Sequence, residues 1–480
     1  MYNIPRTIYC GFAGFQVEAR TTVHCISMTS LDDGVPLVFV PGLMGSSLHK
    51  DISKHKVHDV YVTGSIALGL DNPNLALPLK WNDYIDDYDP LTGTLTRSGM
   101  NNDNGDEKEL QLQLPSQFKD EIYPGDPLRS IKLGSKFCCC ASITVMEQYT
   151  KFCNHFGQYA KFYNFAYDWR RDLNETTNLF LEFLDMIKAK HGIAAQVISH
   201  SMGCLIHVTA CNMNPSLFHS NCFAGGMFAG GVGFYPTNTD GMVVGINRHY
   251  LGPDVVHTFP SMFATASPMG VGNDPILKNE HGRQLWQFVD SRQIYTGTGI
   301  GTGKDSVAVV EINFYDIEDW KKYKIGPWCY QDKVPDEMER HVKNCLYLGY
   351  MFQLKMRKIH TEEPTMQSES PDAASSYPPV AVLVGDKFMN PEYFLWDTDK
   401  NHGIEWTQKL IEKHKPQHFA KTDGTVSYIS SSQPPVPKGV KIREYKAKNN
   451  GPALGKHRDL MNDIATIDTI LRDLREAKKE

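Results

Sequence analysis

Residues 194–213 read AAQVISHSMGCLIHVTACNM, a short apolar run that passes directly into a helix-like segment. Ser201 stands at the junction, inside the pentapeptide S-H-S-M-G at 199–203, which differs from G-x-S-x-G only at Ser199. Small residues at these positions let a strand and a helix meet in a tight, strained turn. Such a turn projects the serine hydroxyl beyond the end of a sheet and points the N–H of Met202 toward a developing oxyanion. Taken alone, the pentapeptide fits an ordinary buried turn equally well.

A second buried strand is predicted near the start of the chain, in VPLVFVPGLMGSSL at 35–48. The apolar run 35–40 ends at Pro41 and Gly42, as expected of a strand covered on both faces in a parallel sheet. The glycine-rich loop that follows exposes backbone N–H groups. We expect the N–H of Leu43 to supply a second oxyanion donor, although a simple turn is the plainer interpretation.

The order of chemical groups along the chain selects the partners of the serine. In α/β-hydrolases the nucleophile comes first, then an acid, then a histidine. Of the 18 histidines, only His457 follows an acid in the loop KTDGTVS, which contains Asp423. Asp386, directly after the apolar run 380–384, is an alternative acid, and we favour Asp423. A solvated histidine before a helix is the alternative interpretation of His457.

Together these segments resemble the lecithin:cholesterol acyltransferase family, which includes phospholipid:diacylglycerol acyltransferases and lysosomal phospholipases. The resemblance spans about residues 35 to 465 in the family's order. It is carried by V-P-G at 40–42, Y-D-W-R at 167–170, the elbow at 199–203, D-G-T-V at 423–426, and His457. Ser199 and Thr422 stand where family members usually have glycine. The resemblance implies an α/β-hydrolase fold, with a mostly parallel central sheet flanked by helices and a cap or lid insertion, and acyl chemistry on sterol or glycerolipid esters.

The charged pair in Y-D-W-R has its own interpretation. Asp168 and Arg170 follow a predicted strand that ends at 163–167, and they place opposite charges at its tip. A structural ion pair is the favoured role. A bidentate arginine that braces the elbow loop or binds a phosphate head group is the alternative.

The composition is that of an ordinary globular protein. The 480 residues are 41% hydrophobic and 22% charged with a net charge of −6, which gives no overall attraction to nucleic acid. No apolar run reaches the ~18 residues of a membrane span, and the glycine-broken stretch at 8–15 is a poor signal peptide. We therefore expect a cytoplasmic protein without a transmembrane segment, with peripheral contact to membranes left open.

No cofactor or metal is expected. The eleven cysteines are odd in number and three are adjacent at 138–140, so we expect no essential disulfide framework. No pair of cysteines or histidines has zinc-binding spacing. The loop GTGIGTGKDS at 297–306 meets neither the G-x-G-x-x-G nor the P-loop pattern, and we interpret it as a hinge.

Changes in composition divide the chain into regions. An N-terminal extension at 1–34 precedes a hydrolase core at 35–223 and 306–480, and the polar stretch 50–135 is an insertion at the rim of the site. The glycine-spaced region 224–305 is interpreted as a cap or lid. Helices are expected at 144–159, 177–190 and 460–476. Apolar residues of the cap either line an acyl pocket or pack the cap onto the core, and they are Met227, Phe228, Phe234, Met242, Val243, Val244, Phe259, Met262 and Phe263.

These patterns predict a serine acyl enzyme that passes an acyl chain from a lipid ester to an alcohol or to water. Ser201 would be the nucleophile, His457 the base and Asp423 the acid, with the N–H groups of Leu43 and Met202 as oxyanion donors. The supporting residues would be Gly42, Asp168, Arg170 and Gly203. Two alternatives stay open, a non-catalytic lipid-binding protein of the same fold and a hydrolase of small soluble esters.

Overall fold

The computed structural model describes residues 34–53, 56–81, 83–85, 87–88, 95–96, 122–133, 143–229, 237, 240–265, 287–290, 309–311, 313–331, 333–357, 371–391, 394–397, 402–404, 419–448 and 456–479. The N-terminal extension before Gly34 and the expected hinge at 297–306 lie outside these described residues.

A six-stranded parallel sheet forms the centre of the fold. Its strands are β1 Leu37–Val40, β2 Phe162–Asn164, β3 Ala195–His200, β4 Phe218–Ala224, β5 Val380–Val384 and β6 Ile442–Lys446. Across the sheet they lie in the order β6-β5-β4-β3-β1-β2, and every neighbouring pair is parallel. The carboxyl ends of all six strands therefore meet at one edge, where ligands of such sheets bind.

Alternating side chains cover both faces of this sheet. In β1, Val38 and Val40 enter the core on one face, while Leu37 and Phe39 enter the core on the other. This follows from the two-residue period of a strand, and it explains why the strand sequences are apolar throughout. The predicted α/β class, with a mostly parallel sheet between helices, is confirmed.

In the part of the chain that the structure describes, five longer helices flank the sheet. They are α1 Thr150–Phe156, α2 Leu173–His191, α3 Gly203–Met213, α4 Asp336–Met356 and α5 Ile464–Ala477. Helices α2, α3 and α4 pack on the Val38 face, whereas α1 and α5 pack on the Phe39 face. Helix α2 begins at the cap Asp172, whose side chain accepts a hydrogen bond from Asn174 N–H, and it ends at Gly192 in the left-handed conformation.

Shorter elements surround the sheet. The short helices are Gly64–Ala67, Pro253–Val256, Pro260–Phe263, Ile317–Lys322, Pro371–Ser376 and Tyr428–Ser432, with 3₁₀ turns at Pro215–Leu217, Gly326–Cys329 and His457–Asn462. Lys56–Tyr61, Ser46–Ser53 and Ile122–Pro127 form an antiparallel sheet, and Val309–Glu311, Gln287–Asp290, Phe394–Asp397 and His402–Ile404 form a mixed one. The described residues also form four two-stranded pairs: Asp87–Tyr88 with Leu95–Thr96, Ser130–Leu133 with Ile143–Glu147, Met242–Val244 with Asn247–Leu251, and Phe388–Pro391 with Phe419–Thr422.

Two predicted element boundaries are wrong. The expected helix at 144–159 is a strand, Ile143–Glu147, followed by the shorter helix α1. The strand pairs with Ser130–Leu133, and this pairing overrides the local helical pattern. The strand expected to end at 163–167 stops at Asn164, and beyond it Tyr167 Oη donates to the carbonyl of Pro41 in the loop after β1.

The apolar side chains of region 224–305 divide into two groups. Phe228, Phe259, Met262 and Phe263 are buried in the core on the Val38 face, so they pack this region onto the sheet and its helices. Val243, in contrast, is 56% exposed. Phe234 lies outside the described residues.

Among the helices that the structure describes, none has the length and apolar character needed to cross a bilayer.

Candidate active site

Ser201 occupies a strained turn between β3 and α3. Its φ is 54°, in the left-handed region that non-glycine residues rarely adopt. Its N–H donates to the carbonyl of Ala224 at the end of β4, with the two atoms 3.0 Å apart. Strain of this kind is kept where the surrounding structure enforces it, often at functional sites. The turn therefore holds the Ser201 hydroxyl at the carboxyl edge of the sheet.

Two glycines allow the chain segments around Ser201 to approach this closely. A Cβ atom at Gly203 would lie 2.3 Å from the carbonyl oxygen of Pro41, and one at Gly42 would lie 2.8 Å from the Cβ of Ser201. Real Cβ contacts are not this short, so any side chain at either position would push the loop after β1 away from the elbow. Both predicted supporting glycines are thus in direct contact with the elbow or the loop facing it.

Ser201, His457 and Asp423 form one hydrogen-bonded chain. The Nε2 atom of His457 lies 2.7 Å from Ser201 Oγ, and its Nδ1 atom lies 2.7 Å from Asp423 Oδ2. If Nδ1–H donates to the carboxylate, Nε2 is free to accept the serine proton. Ser201 is 256 positions from His457, which is 34 positions from Asp423, and parallel strand order brings all three to one edge.

The carboxyl group of Asp423 is held ionised. Burial raises its pKa, but the neighbouring His457 ring and hydrogen bonds from the N–H groups of Val426 and Thr425 outweigh this effect, so the pKa is lower than usual. The backbone adds a further link, since His457 N–H donates to the carbonyl of Asp423 at 2.8 Å. A buried carboxylate in this position fixes the orientation of the imidazole.

The alternative acid, Asp386, lies elsewhere. Its carboxylate pairs with Lys446 Nζ at 2.7 Å, at the ends of β5 and β6. The structure thus brings Asp423, and not Asp386, to His457.

The predicted oxyanion residues flank Ser201. Met202 is buried and directly precedes α3, while Leu43 is half-buried in a turn closed by a hydrogen bond from Gly45 N–H to the carbonyl of Gly42. In the described part of the chain no hydrogen bond engages the N–H of Leu43 or of Met202. As far as the described residues are concerned, both N–H groups are open to a ligand oxygen.

Asp168 and Arg170 form a buried ion pair. Nε and Nη2 of Arg170 donate to the two carboxylate oxygens of Asp168, at 2.9 and 2.6 Å, and Nη1 donates to the carbonyl of Leu75. The arginine side chain is fully buried. Next to it, Ser261 Oγ donates to the carbonyl of Trp169 at 2.6 Å. The pair thus joins the residues after β2 to the segment at Leu75, and its neighbour Trp169 contacts Ser261.

Two residues of the site were not predicted from the sequence. Tyr149 and His200 lie between the loop after β1 and the backbone of His457, joined by hydrogen bonds. His200 stands inside the S-H-S-M-G motif, but nothing in the motif indicates its partners. Among the residues that the structure describes, no group of three or more histidine, cysteine or acidic side chains is arranged to hold a metal.

Comparison with known proteins found a similar structure but no similar sequence. No protein-family model matches the chain. No curated protein sequence matches it either. Among solved structures, a chain from "The crystal structure of Tle4-Tli4 complex" is similar, with 13% identity, a TM-score of 0.46, and coverage of 93% of this chain and 98% of that chain.

Proposed function

We propose that the protein is a serine acyl enzyme of the α/β-hydrolase fold that acts on lipid esters. Ser201 Oγ attacks the ester carbonyl carbon while His457 Nε2 takes the hydroxyl proton. The ester C–O bond then breaks, and His457 returns the proton to the departing alkoxide. An acyl group is left on Ser201, and the N–H groups of Leu43 and Met202 stabilise the oxyanion of each tetrahedral intermediate.

One observation carries this proposal. Ser201 is held at positive φ, with its hydroxyl 2.7 Å from an imidazole whose other nitrogen is 2.7 Å from a buried carboxylate. The nucleophile, base and orienting acid of an acyl-transfer site require this combination of residue types and distances. A non-catalytic protein of the same fold has no need to retain it.

The choice of a lipid ester rests on the resemblance to the lecithin:cholesterol acyltransferase family. The motifs that carry it meet in space: V-P-G and S-H-S-M-G touch through Gly42 and Ser201, and D-G-T-V supplies the carboxylate. Y-D-W-R joins the same edge, because Tyr167 Oη donates to the carbonyl of Pro41 at 2.9 Å. We therefore extend the proposal to membership of this family, with a phospholipid or acylglycerol as acyl donor.

Either water or an alcohol completes the reaction. The acceptor's O–H gives its proton to His457 as its oxygen bonds to the acyl carbon. The bond between that carbon and Ser201 Oγ then breaks, and His457 returns the proton to Ser201 Oγ. Transfer to a sterol or a diacylglycerol makes the protein an O-acyltransferase, and transfer to water makes it a lipase or phospholipase.

The test combines covalent labelling with product analysis. Three proteins are treated with a fluorophosphonate, and their masses are measured by mass spectrometry. They are the wild type, Ser201→Ala, and the control Ser216→Ala, which alters an exposed serine. Each is also incubated with phosphatidylcholine vesicles that contain cholesterol or diacylglycerol. We expect one adduct, lost only in Ser201→Ala, and release or transfer of acyl chains by the two other proteins.

The other outcomes separate the alternatives. Absence of both labelling and turnover would establish a non-catalytic binding protein. Turnover of a soluble ester such as p-nitrophenyl butyrate without any action on vesicles would indicate a hydrolase of small esters.

A further inference from the structure

A buried chain of hydrogen bonds joins the loop after β1 to the backbone of His457. Gly42 N–H donates to Tyr149 Oη at 3.1 Å, and Tyr149 Oη lies 2.8 Å from His200 Nδ1. His200 Nε2 lies 2.9 Å from the carbonyl oxygen of His457. Tyr149 is fully buried and His200 is 2% exposed. We call Tyr149 and His200, with these three hydrogen bonds, the relay.

The direction of every hydrogen bond in the relay follows from its ends. The carbonyl of His457 can only accept, so His200 Nε2 carries the hydrogen. In the neutral imidazole Nδ1 is then bare, and it accepts the hydroxyl hydrogen of Tyr149. The lone pairs of that hydroxyl accept the N–H of Gly42. Each donor has one acceptor, and only one tautomer of His200 satisfies all three bonds.

Both side chains keep this protonation pattern. Burial, and secondarily the nearby His457, lowers the pKa of His200 to about 3. Burial likewise raises the pKa of Tyr149 well above its usual value. A second proton on His200 would occupy Nδ1 and leave the Tyr149 hydroxyl without its acceptor. The relay therefore holds a neutral histidine and a neutral tyrosine throughout the physiological pH range.

The two ends of the relay meet the two parts of the site that must be aligned. At one end the peptide of Gly42 is fixed, and the next N–H along the chain is that of Leu43. At the other end the His457 peptide is held on both sides, because its N–H donates to Asp423 and its carbonyl accepts from His200. His200 is also bonded directly to the nucleophile Ser201 through the chain.

We infer that Tyr149 and His200 are positioning residues. They fix the loop after β1, which contains Leu43, and the base His457 in place relative to Ser201. This inference rests on the proposed function. Because both side chains are buried, we expect each to act through the residues it holds and not by contact with the substrate. Because near-attack geometry is sensitive to small displacements, we expect loss of the relay to reduce the chemical step more than substrate binding.

Tyr149→Phe tests the Gly42 end. With p-nitrophenyl butyrate we expect kcat to fall about 10- to 100-fold, less than the loss of a whole oxyanion donor, with KM within about twofold. The control is Tyr163→Phe, which removes a hydroxyl from another tyrosine–histidine pair, Tyr163 with His191 at 2.7 Å on the edge strand β2. A Tyr149→Phe protein with lowered thermal stability but unchanged kcat would show a purely structural role and overturn the inference.

Two substitutions of His200 separate the halves of the relay. His200→Gln can place an amide N–H near the former Nε2 and keep the bond to His457, but it lacks the acceptor for Tyr149. His200→Asn can place an oxygen near the former Nδ1 and keep the acceptor, but it cannot reach His457. We expect kcat of both to lie between those of wild type and His200→Ala. Full activity of His200→Ala would contradict the inference.

A measurement on the unaltered protein separates failure of the relay from failure of the proposed function or of folding. In protein labelled with ¹⁵N-histidine, His200, assigned by loss of its signal in His200→Gln, should show the Nε2–H tautomer without titration between about pH 5 and 8. A hydrogen on Nδ1, or titration in this range, would overturn the relay. If the tautomer is as expected but the wild type neither labels nor turns over esters, the proposed function fails and with it the positioning role.

Discussion

The hydrogen bond between Asp423 and His457 sets which nitrogen of the imidazole can act as a base. Asp423→Asn replaces an acceptor with an amide that can donate to Nδ1, which would leave the hydrogen on Nε2. That tautomer cannot take the proton of Ser201. We expect kcat for p-nitrophenyl butyrate to fall about 10³- to 10⁴-fold with little change in KM, as measured by steady-state kinetics.

Asp386→Asn is the matched control, because it makes the same chemical change in the other candidate acid. It breaks a surface pair with Lys446, and pairs of this kind contribute roughly 0–1 kcal/mol. We expect kcat to stay within about twofold of wild type. The reverse pattern, with activity lost in Asp386→Asn and kept in Asp423→Asn, would remove Asp423 from the proposed mechanism.

Ser199 shows how a departure from a motif is accommodated. It replaces the first glycine of G-x-S-x-G, yet positive φ is found at Ser201 and not at Ser199. Its hydroxyl lies 2.8 Å from His207 Nδ1, and His207 Nε2 lies 2.9 Å from Asn221 Oδ1. Since the amide oxygen must accept from Nε2–H, the hydroxyl donates to Nδ1. The serine is therefore a satisfied buried polar group beneath the elbow.

At the scale of elements, the sequence predicted best where one pattern determines the outcome. The runs 35–40 and 380–384 are apolar at every position, as strands covered on both faces must be, and both lie in the central sheet. Chain order predicted that His457 would meet Ser201. These inferences needed only local composition and a rule of order.

Other elements could not be predicted because distant partners decide them. Ile143–Glu147 is a strand through its pairing with Ser130–Leu133. The relay joins Tyr149 to residues 107 positions earlier and 51 later. A single sequence carries no signal for such contacts, and a buried tyrosine–histidine pair looks like ordinary core composition.

The ion pair between Asp168 and Arg170 links elements, and Arg170→Leu tests its role. The substitution leaves a carboxylate that is 8% exposed without its partner. We expect the free energy of unfolding in urea to fall by about 3–5 kcal/mol. Because the guanidinium is fully buried, the ratio of turnover on phosphatidylcholine to turnover on diacylglycerol should not change.

The neighbouring Arg171→Leu is the control, since Arg171 pairs with Glu175 on the surface of α2 and its loss should cost less than about 1 kcal/mol. The double variant Asp168→Leu/Arg170→Leu should recover part of the stability, because it leaves no buried charge. A selective loss of phosphatidylcholine turnover in a stably folded Arg170→Leu protein would instead support a phosphate-binding role.

At the scale of the whole molecule, buried histidines link folding to pH. Burial is the main cause that lowers the pKa of His200 and His207 to about 3 and of His341 to about 4. Between the usual histidine pKa and these values the unfolded chain binds protons that the folded chain does not, so stability falls as pH falls. Asp172 acts in the opposite direction, because burial raises its pKa to about 6.

The lowered pKa of Asp423 does not contribute in this interval. A carboxylate with a depressed pKa adds stability above its unfolded pKa of about 3.9 and loses it only at lower pH. These three histidines and Asp172, taken together, leave a difference of about two protons between roughly pH 6 and 4. We expect these four groups to lower the free energy of unfolding by about 2–3 kcal/mol per pH unit there.

Asp172→Asn tests the sign of this balance. Asparagine is as good a helix cap as aspartate, so α2 should keep its N-terminus, but the side chain can no longer take up a proton. Without that opposing group, the stability of the variant should fall more steeply with acidification, by about one further proton. Urea unfolding of both proteins at intervals from about pH 7 to 4 measures the two slopes. Parallel slopes would show that Asp172 does not titrate in this range, and a flat wild-type curve would show that the three histidines are not held neutral by the fold.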